Sequence, residues 1–330
     1  MGGLRRLVTI SFPDSYTGPG AKHQAFLYAS EDDFLSTTAP FLAAGLEAGE
    51  SIVAITSGEK LDALRATFGE LPPSAFLVDS DDWYRKPSEA VARWTDFVHG
   101  QATNGRTVRA VAEIVSVADS QQSVDEWMDY ESIVNSVLAP LPLWVICLYD
   151  VGVLPDSIIE QVRASHPATV EDGLVRKSAA FLPPADRPAR SLALNGLRPL
   201  TRQHIDVASA CAHVEVEARR AGLRESPIQR LLAATTEVAS NAFGHGRPPV
   251  FVTAWNDGER FVCQIEDQGP GISDPAAGFA PPAAGRGWGL WLARQSADSL
   301  AVGRSDRGSA VRLAVSRNRA ETLGGPQTRL

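Results

Sequence analysis

Residues 236–246 read TEVASNAFGHG and place Glu237 and Asn241 four positions apart. In a helix that spacing stacks two side chains on one face. A carboxylate and a carboxamide stacked on the otherwise apolar run IQRLLAATTEVASNAF must face either water or something polar. A solvated face would account for one such pair, but two later stretches add to it. EDQGPGI (266–272) puts Asp267 at the end of an apolar segment and follows it with Gly269 and Gly271. GRGWGL (285–290) alternates Gly285, Gly287 and Gly289 just ahead of a helical pattern. Glycines let backbone amides approach phosphate oxygens, and a helix amino terminus adds partial positive charge. Asp267 can accept a hydrogen bond from an exocyclic amine such as that of adenine. Asn241 offers a carboxamide oxygen to a hard cation, and Glu237 can orient or deprotonate an attacking hydroxyl. A lone Gly-rich turn is more often only a turn. Helix, strand end and helix start in this order point together to a nucleotide.

The chain around these residues is long enough, at 330 residues, for two domains with ordinary cores. Its net charge of -8 gives no basic footprint, so neither nucleic acid nor an anionic membrane surface is expected as a direct partner. No apolar run approaches the length of a membrane span, and MGGLRRLVTISFPDS lacks the sustained apolar stretch of a signal peptide. A soluble, cytoplasmic protein is expected. Cys147, Cys211 and Cys263 lie far apart, with no CxxC and no paired histidine. That pattern fits reduced buried thiols, not disulfides or a zinc site.

The first half alternates apolar strand-like segments (24–30, 51–56, 75–79, 108–114, 143–150) with amphipathic stretches (32–48, 59–69, 87–103, 123–139, 155–165). Such alternation predicts a parallel sheet with helices on both faces. Residues 167–191 then collect prolines and charges without a period and read as the connection, with the break itself at 181–190. The second half predicts a strand at 191–195, helices at 199–222 and 226–243, strands at 249–257 and 260–268, a helix at 288–300 and a strand at 309–316. Helices followed by a mostly antiparallel sheet make an α/β sandwich covered on one face.

EVASNAFGHG, DQGPG, GRGWGLWLARQ and the terminal GSAVRL resemble the N, G1, G2 and G3 boxes of the GHKL superfamily of ATPases and kinases. Within it they are most similar to anti-sigma-factor serine kinases. The resemblance covers about 190–316 and implies a Bergerat ATP-binding domain at 191–317, followed by a tail at 318–330. It further implies ATP and Mg2+, with Asn241 holding the metal and Glu237 as catalytic base. Asp267 would read adenine beside Gly269 and Gly271, Gly285, Gly287 and Gly289 would wrap the phosphates, and His245 and Gly246 would end the helix beside the site. Ser309 stands where a threonine is usual, which keeps the hydroxyl. The lid SDPAAGFAPPAAG is short and rich in proline and alanine, which predicts slow closure or weak catalysis. The implied partners are a sigma factor and a STAS-type antagonist protein phosphorylated on serine or threonine; a homodimer is compatible with the family. Two alternatives are an ATP-holding module that transfers no phosphate and a histidine kinase. For the latter, His204 is the candidate phosphoacceptor, but Ile-Asp follows it; His213 lies on the same expected helix without an acidic neighbour after it. A surface helix histidine is the better reading of His204.

KHQAFLYASEDDFLSTTAPFLAAGLEAGESIVAIT and LYDVGVLPDSIIEQVRASHPATVEDGLV resemble the MEDS sensory domain, over about 20–180 behind an arm at 1–19. The resemblance implies a RecA-like α/β/α parallel-sheet core without ATPase activity and a small-molecule signal. Independently, TSGEKLDAL lacks G-x-x-x-x-G-K-[ST], so no working P-loop is present. His23 matches the family's recurrent histidine, and Glu113 and Asp150 end strands where open α/β sheets bind ligands. Ordinary strand-end polarity is the competing reading for each.

Overall fold

The structure is a computed structural model that describes residues 20–114, 121–171, 174–194, 199–282 and 287–317, without the side chains of 121–123. It divides into two units, Met1–Arg187 and Pro188–Leu330. Among the described residues no helix is long and apolar enough to cross a membrane.

The first unit runs β1 (Lys22–Tyr28), α1 (Glu31–Glu47), β2 (Ser51–Thr56), α2 (Gly58–Phe68), β3 (Ala75–Asp79), α3 (Ser80–Trp83), α4 (Pro87–Thr103), β4 (Val108–Ala112), α5 (Gln121–Val137), β5 (Leu143–Asp150), α6 (Asp156–Ser165), β6 (Ala168–Glu171) and β7 (Leu174–Lys177). Its sheet has the order β3-β2-β4-β5-β1-β6-β7. Every pairing is parallel except the last, where β7 returns antiparallel to β6. The strands are apolar at successive positions because both faces are covered; every residue of β2 is buried. Phe26, Ile52 and Ile146 pack with Phe34 and Phe41 of α1 and Leu61 of α2. The alternate positions Ala25, Val53 and Cys147 are as deeply buried, and α5 brings Glu131 against Cys147. Helix α1 starts where the Ser30 hydroxyl accepts from the Asp33 amide.

One expectation fails here. Residues 168–171 and 174–177 are the antiparallel strands β6 and β7 and not part of the connection. Strand β6 is held by parallel pairing to β1, Gln24 opposite Ala168, a partner that a local pattern does not reveal.

The second unit runs β8 (Thr201–His204), α7 (Val207–Arg220), α8 (Glu225–His245), β9 (Val250–Asn256), β10 (Arg260–Asp267), α9 (Trp288–Ser296), β11 (Ser299–Ser305) and β12 (Gly308–Ser316). The sheet order is β11-β12-β10-β9-β8, antiparallel throughout. Leu231 and Val238 of α8, Ala293 of α9, Cys263 and Ile265 of β10 and Leu313 of β12 share one core. On the other sheet face, Gln264 donates to the Leu192 carbonyl at 3.1 Å, and Leu192 packs with Ala301 and Ala310.

Three expected elements differ. Residues 191–194 form no extended strand; Ser191 makes a single parallel bridge to Arg304. The helix expected from 199 begins at Val207, because Asp206 caps it by accepting from the Ser209 amide at 2.7 Å. Residues 201–204 pair with β9 instead. The helix expected to reach 300 stops at Ser296, and Ser299–Ser305 becomes β11, hydrogen-bonded to β12.

Candidate functional site

Helix α8 carries the opening pair. Arg230 near its start donates to Asp298 at 2.6 Å, and Asp298 in turn accepts from the Ser316 amide at 2.8 Å. These contacts fix the helix against the sheet. At its far end the Gly246 amide donates to the carbonyls of Asn241 and Ala242, closing the helix at His245.

Helix α9 approaches this pair with its amino terminus. Gly287 caps it at φ +97, a left-handed conformation that favours glycine, and contributes no side-chain cap. Its first-turn amides therefore have no side-chain capping acceptor. Gly289 in that turn lies directly against α8: a β-carbon there would stand 2.9 Å from Glu237 Oε2 and 3.6 Å from Asn241 Nδ2.

Asn241, Asp267, Gly271, Gly287, Gly289 and Ser309 line one cavity of about 290 Å³. Glu237 is half-buried and is not itself part of this lining; its carboxylate lies against Gly289, which is. Asp267 ends β10 opposite Ser309 of β12. Its Oδ1 accepts from the Gly269 amide at 2.6 Å and the Arg247 amide at 3.3 Å, which fixes the carboxylate at the cavity wall. Gly269 thus serves from beneath the wall. His245 and Gly246 border the same space. Gly285 lies outside the described residues.

Sequence reasoning missed two parts of this site. Val238, Ala242, Ile265, Ile272, Leu290 and Val311 supply an apolar lining, legible only as core periodicity. The described part of the lid is also anchored. Arg294 of α9 donates to the Ala277 carbonyl at 3.2 Å and the Leu300 carbonyl at 2.8 Å, and its guanidinium lies 3.7 Å over the ring of buried Phe279.

The other candidates are placed as follows. His204 lies on β8 and not on a helix, with Nε2 3.0 Å from His213 Nδ1 on α7. In the first unit the Glu113 carboxylate accepts from Lys60 at 2.7 Å, from Tyr28 at 2.5 Å and from Thr56. Burial and this carboxylate raise the Tyr28 phenol well above its ordinary value. Asp150 accepts from the Gly152 amide at 2.8 Å in a turn. His23 is buried at the other end of β1, with Nδ1 3.1 Å from Asn135 Oδ1.

The family model of the MEDS domain (MEthanogen/methylotroph, DcmR Sensory domain) matches residues 22–167, and that of the histidine kinase-like ATPase domain matches residues 200–315. The chain thus carries a MEDS domain in its first unit and a histidine kinase-like ATPase domain, of the GHKL type, in its second. Similar solved structures include the RsbU and RsbW domains of Rv1364c from Mycobacterium tuberculosis, at 19% identity and TM-score 0.28 over 38% of this chain. The chain spans 34% of that structure. Acinetobacter baumannii histidine kinase AdeS aligns at 18% identity and TM-score 0.24, over 38% of this chain and 71% of that one. The histidine kinase domain of the Erythrobacter litoralis EL346 blue-light activated histidine kinase aligns at 15% and 0.23, over 70% and 94%. No curated protein matches the sequence.

Proposed function

We propose that the protein is a cytoplasmic, ATP-dependent serine/threonine kinase of the anti-sigma-factor type, governed by its MEDS domain. Its partners would be a sigma factor and a small STAS-type antagonist that it phosphorylates. The observation that carries this reading is the meeting of Glu237 and Asn241 with the first turn of α9 at Gly289, beside the cavity that holds Asp267. The sigma-factor partnership rests on the resemblance of the N box and the three glycine boxes.

The residues fit a magnesium nucleotide. The apolar walls suit a base, and Asp267, its Oδ1 held by two amides, presents its remaining oxygen to an exocyclic amine. The α9 amides face the space that phosphates would fill. A carboxamide oxygen on Asn241 suits Mg2+, which would neutralise charge on the phosphates. Glu237 has the chemistry to take the proton of an acceptor hydroxyl. His204 speaks against histidine autophosphorylation: it sits on a strand, against His213, with the single helix α7 between it and α8.

The test is transfer of γ-labelled phosphate from ATP to candidate STAS proteins by the full chain. Acid-stable label on serine or threonine is expected, reduced by about 10²–10⁴ in Glu237→Gln, the worth of general-base catalysis. Acid-labile phosphohistidine, or ATP binding with no transfer to any protein, overturns the reading.

A further inference from the structure

We propose that His23, Glu131, Cys147 and His166 form a binding site for a divalent transition-metal ion of the zinc class inside the MEDS unit. The four residues come from β1, α5, β5 and the position just after α6. All are buried, and their ligand atoms lie within 4.8 Å of one another.

Three of the distances already match a coordination shell, and the widest separation, within 4.8 Å, leaves room for an ion to draw the set together. His23 Nε2 is 3.2 Å from Glu131 Oε2 and 3.2 Å from Cys147 Sγ, and His166 Nε2 is 3.3 Å from the same Glu131 oxygen. With zinc bonds of about 2.0–2.3 Å, neighbouring atoms of a tetrahedron stand roughly 3.3–3.7 Å apart. The directions match as well. Glu131 Oε2 and His166 Nε2, though close, have no hydrogen-bond partner, so they converge on a shared point and not along an N–H···O line.

The surrounding contacts orient both imidazoles. His23 Nδ1 lies 3.1 Å from Asn135 Oδ1, and His166 Nδ1 lies 2.8 Å from the Val162 carbonyl. Asn135 is itself oriented, since its Nδ2 donates to the Ser165 carbonyl at 2.7 Å and the Ser132 carbonyl at 2.9 Å. Both rings therefore have an acceptor for an Nδ1 proton, which leaves each Nε2 lone pair facing the centre. Two such lone pairs and a carboxylate oxygen repel one another in a buried space unless a cation lies among them. A thiol and two imidazoles select zinc-class ions over the Mg2+ expected at Asn241, which prefers oxygen donors. A cavity of about 290 Å³ bordered by His23 and Asn135 supplies an approach. On binding, the Cys147 thiol proton leaves to solvent and the sulfur ligates as thiolate.

The experiment uses the full chain, freed of any affinity tag, stripped with chelator and titrated with cobalt(II) and zinc(II). One cobalt per chain is expected, with the visible absorption of a tetrahedral site and a thiolate-to-metal charge-transfer band. Cys147→Ser, nearly isosteric, should abolish that band and weaken binding at least about tenfold, the cost of losing even a partner that only orients a ligand. The double variant His204→Gln/His213→Gln, which removes the histidine pair of the other unit, should leave the spectrum unchanged. Zinc should also raise the unfolding temperature of the parent. If Cys147→Ser does not fold, zinc protection of Cys147 against alkylation in the parent reads the same site. Absence of stoichiometric uptake, a charge-transfer band that survives Cys147→Ser, or loss of the spectrum in the double variant each overturns the proposal. The four residues would then be a metal-free polar cluster.

Discussion

Gly289 and Glu237 meet so closely that no side chain fits between them: a β-carbon at position 289 would lie 2.9 Å from Glu237 Oε2. The obstacle is the end of a flexible side chain, so the fold can yield, but only by moving Glu237. Gly289→Ala should therefore separate stability from activity. Alanine in a helix is favoured over glycine by about 0.5–1 kcal/mol, so the unfolding temperature should hold or rise. Phosphotransfer should fall about tenfold to a hundredfold, the penalty of a misplaced reacting group. Parallel melting curves and transfer rates check this; an unchanged rate would show that the carboxylate's position is unimportant.

Asp267 uses one carboxylate oxygen for two backbone amides and lines the cavity. Asp267→Asn preserves the Oδ1 that accepts from the Gly269 and Arg247 amides, but puts an NH₂ donor where an acceptor is needed. ATP affinity should drop roughly ten- to hundredfold, matching about 1.5–3 kcal/mol for a hydrogen bond to a charged group, with little change in stability. Calorimetric titration is the measurement, and equal affinity would remove Asp267 from base recognition.

Most of this site was legible because its signals are local: the Glu237–Asn241 spacing, Asp267 with the glycines after it, and the glycines leading into α9. Each is a short motif on one element, and the fold needed only to bring three elements together. What was not legible depends on partners distant in sequence. The start of β11, at 299–300, continues a helical pattern and becomes strand only through pairing to β12, and β6 has no local strand signal apart from its pairing to β1. The same holds for the histidine–glutamate–cysteine cluster. Cys147 reads as a solitary thiol in sequence, and only the order of the parallel sheet, with β5 beside β1 and β1 beside β6, gathers His23, Cys147 and His166.

Asn241→Ala should fail differently from Glu237→Gln. It removes the carboxamide oxygen that would hold Mg2+ in the proposed site while leaving Glu237 beside α9. Nucleotide affinity and transfer should fall together, and higher Mg2+ should restore part of both, because a weakened metal site is refilled by mass action. Glu237→Gln should bind ATP as the parent does and gain nothing from extra metal. A magnesium series on both variants decides it: rescue of Glu237→Gln, or none of Asn241→Ala, would reverse the two assignments.

The His204–His213 pair should make the ATPase unit sensitive to mild acid. The two rings stack with His204 Nε2 3.0 Å from His213 Nδ1, a contact that one shared proton satisfies and two protons turn into repulsion. Burial, aided by Arg202, holds His204 below its ordinary 6.5; burial, then His204 and Arg202, does the same for His213. Asp206 opposes this at His204 and Glu217 at His213, less strongly. His213 Nε2 is also buried without a hydrogen-bond partner, so charging that ring leaves an unsatisfied donor. With folded values below the unfolded ones, the neutral pair contributes stability in full above about pH 6.5, and this is lost as pH falls through the lowered values. The effect is modest because the His204 ring keeps solvent contact. Thermal unfolding followed from about pH 7.5 to about 5.5 should fall more steeply in the parent than in His204→Gln. Every other titratable group is common to both proteins, so the difference between the two curves isolates the pair. Parallel curves would show that protonation of these rings is not coupled to folding.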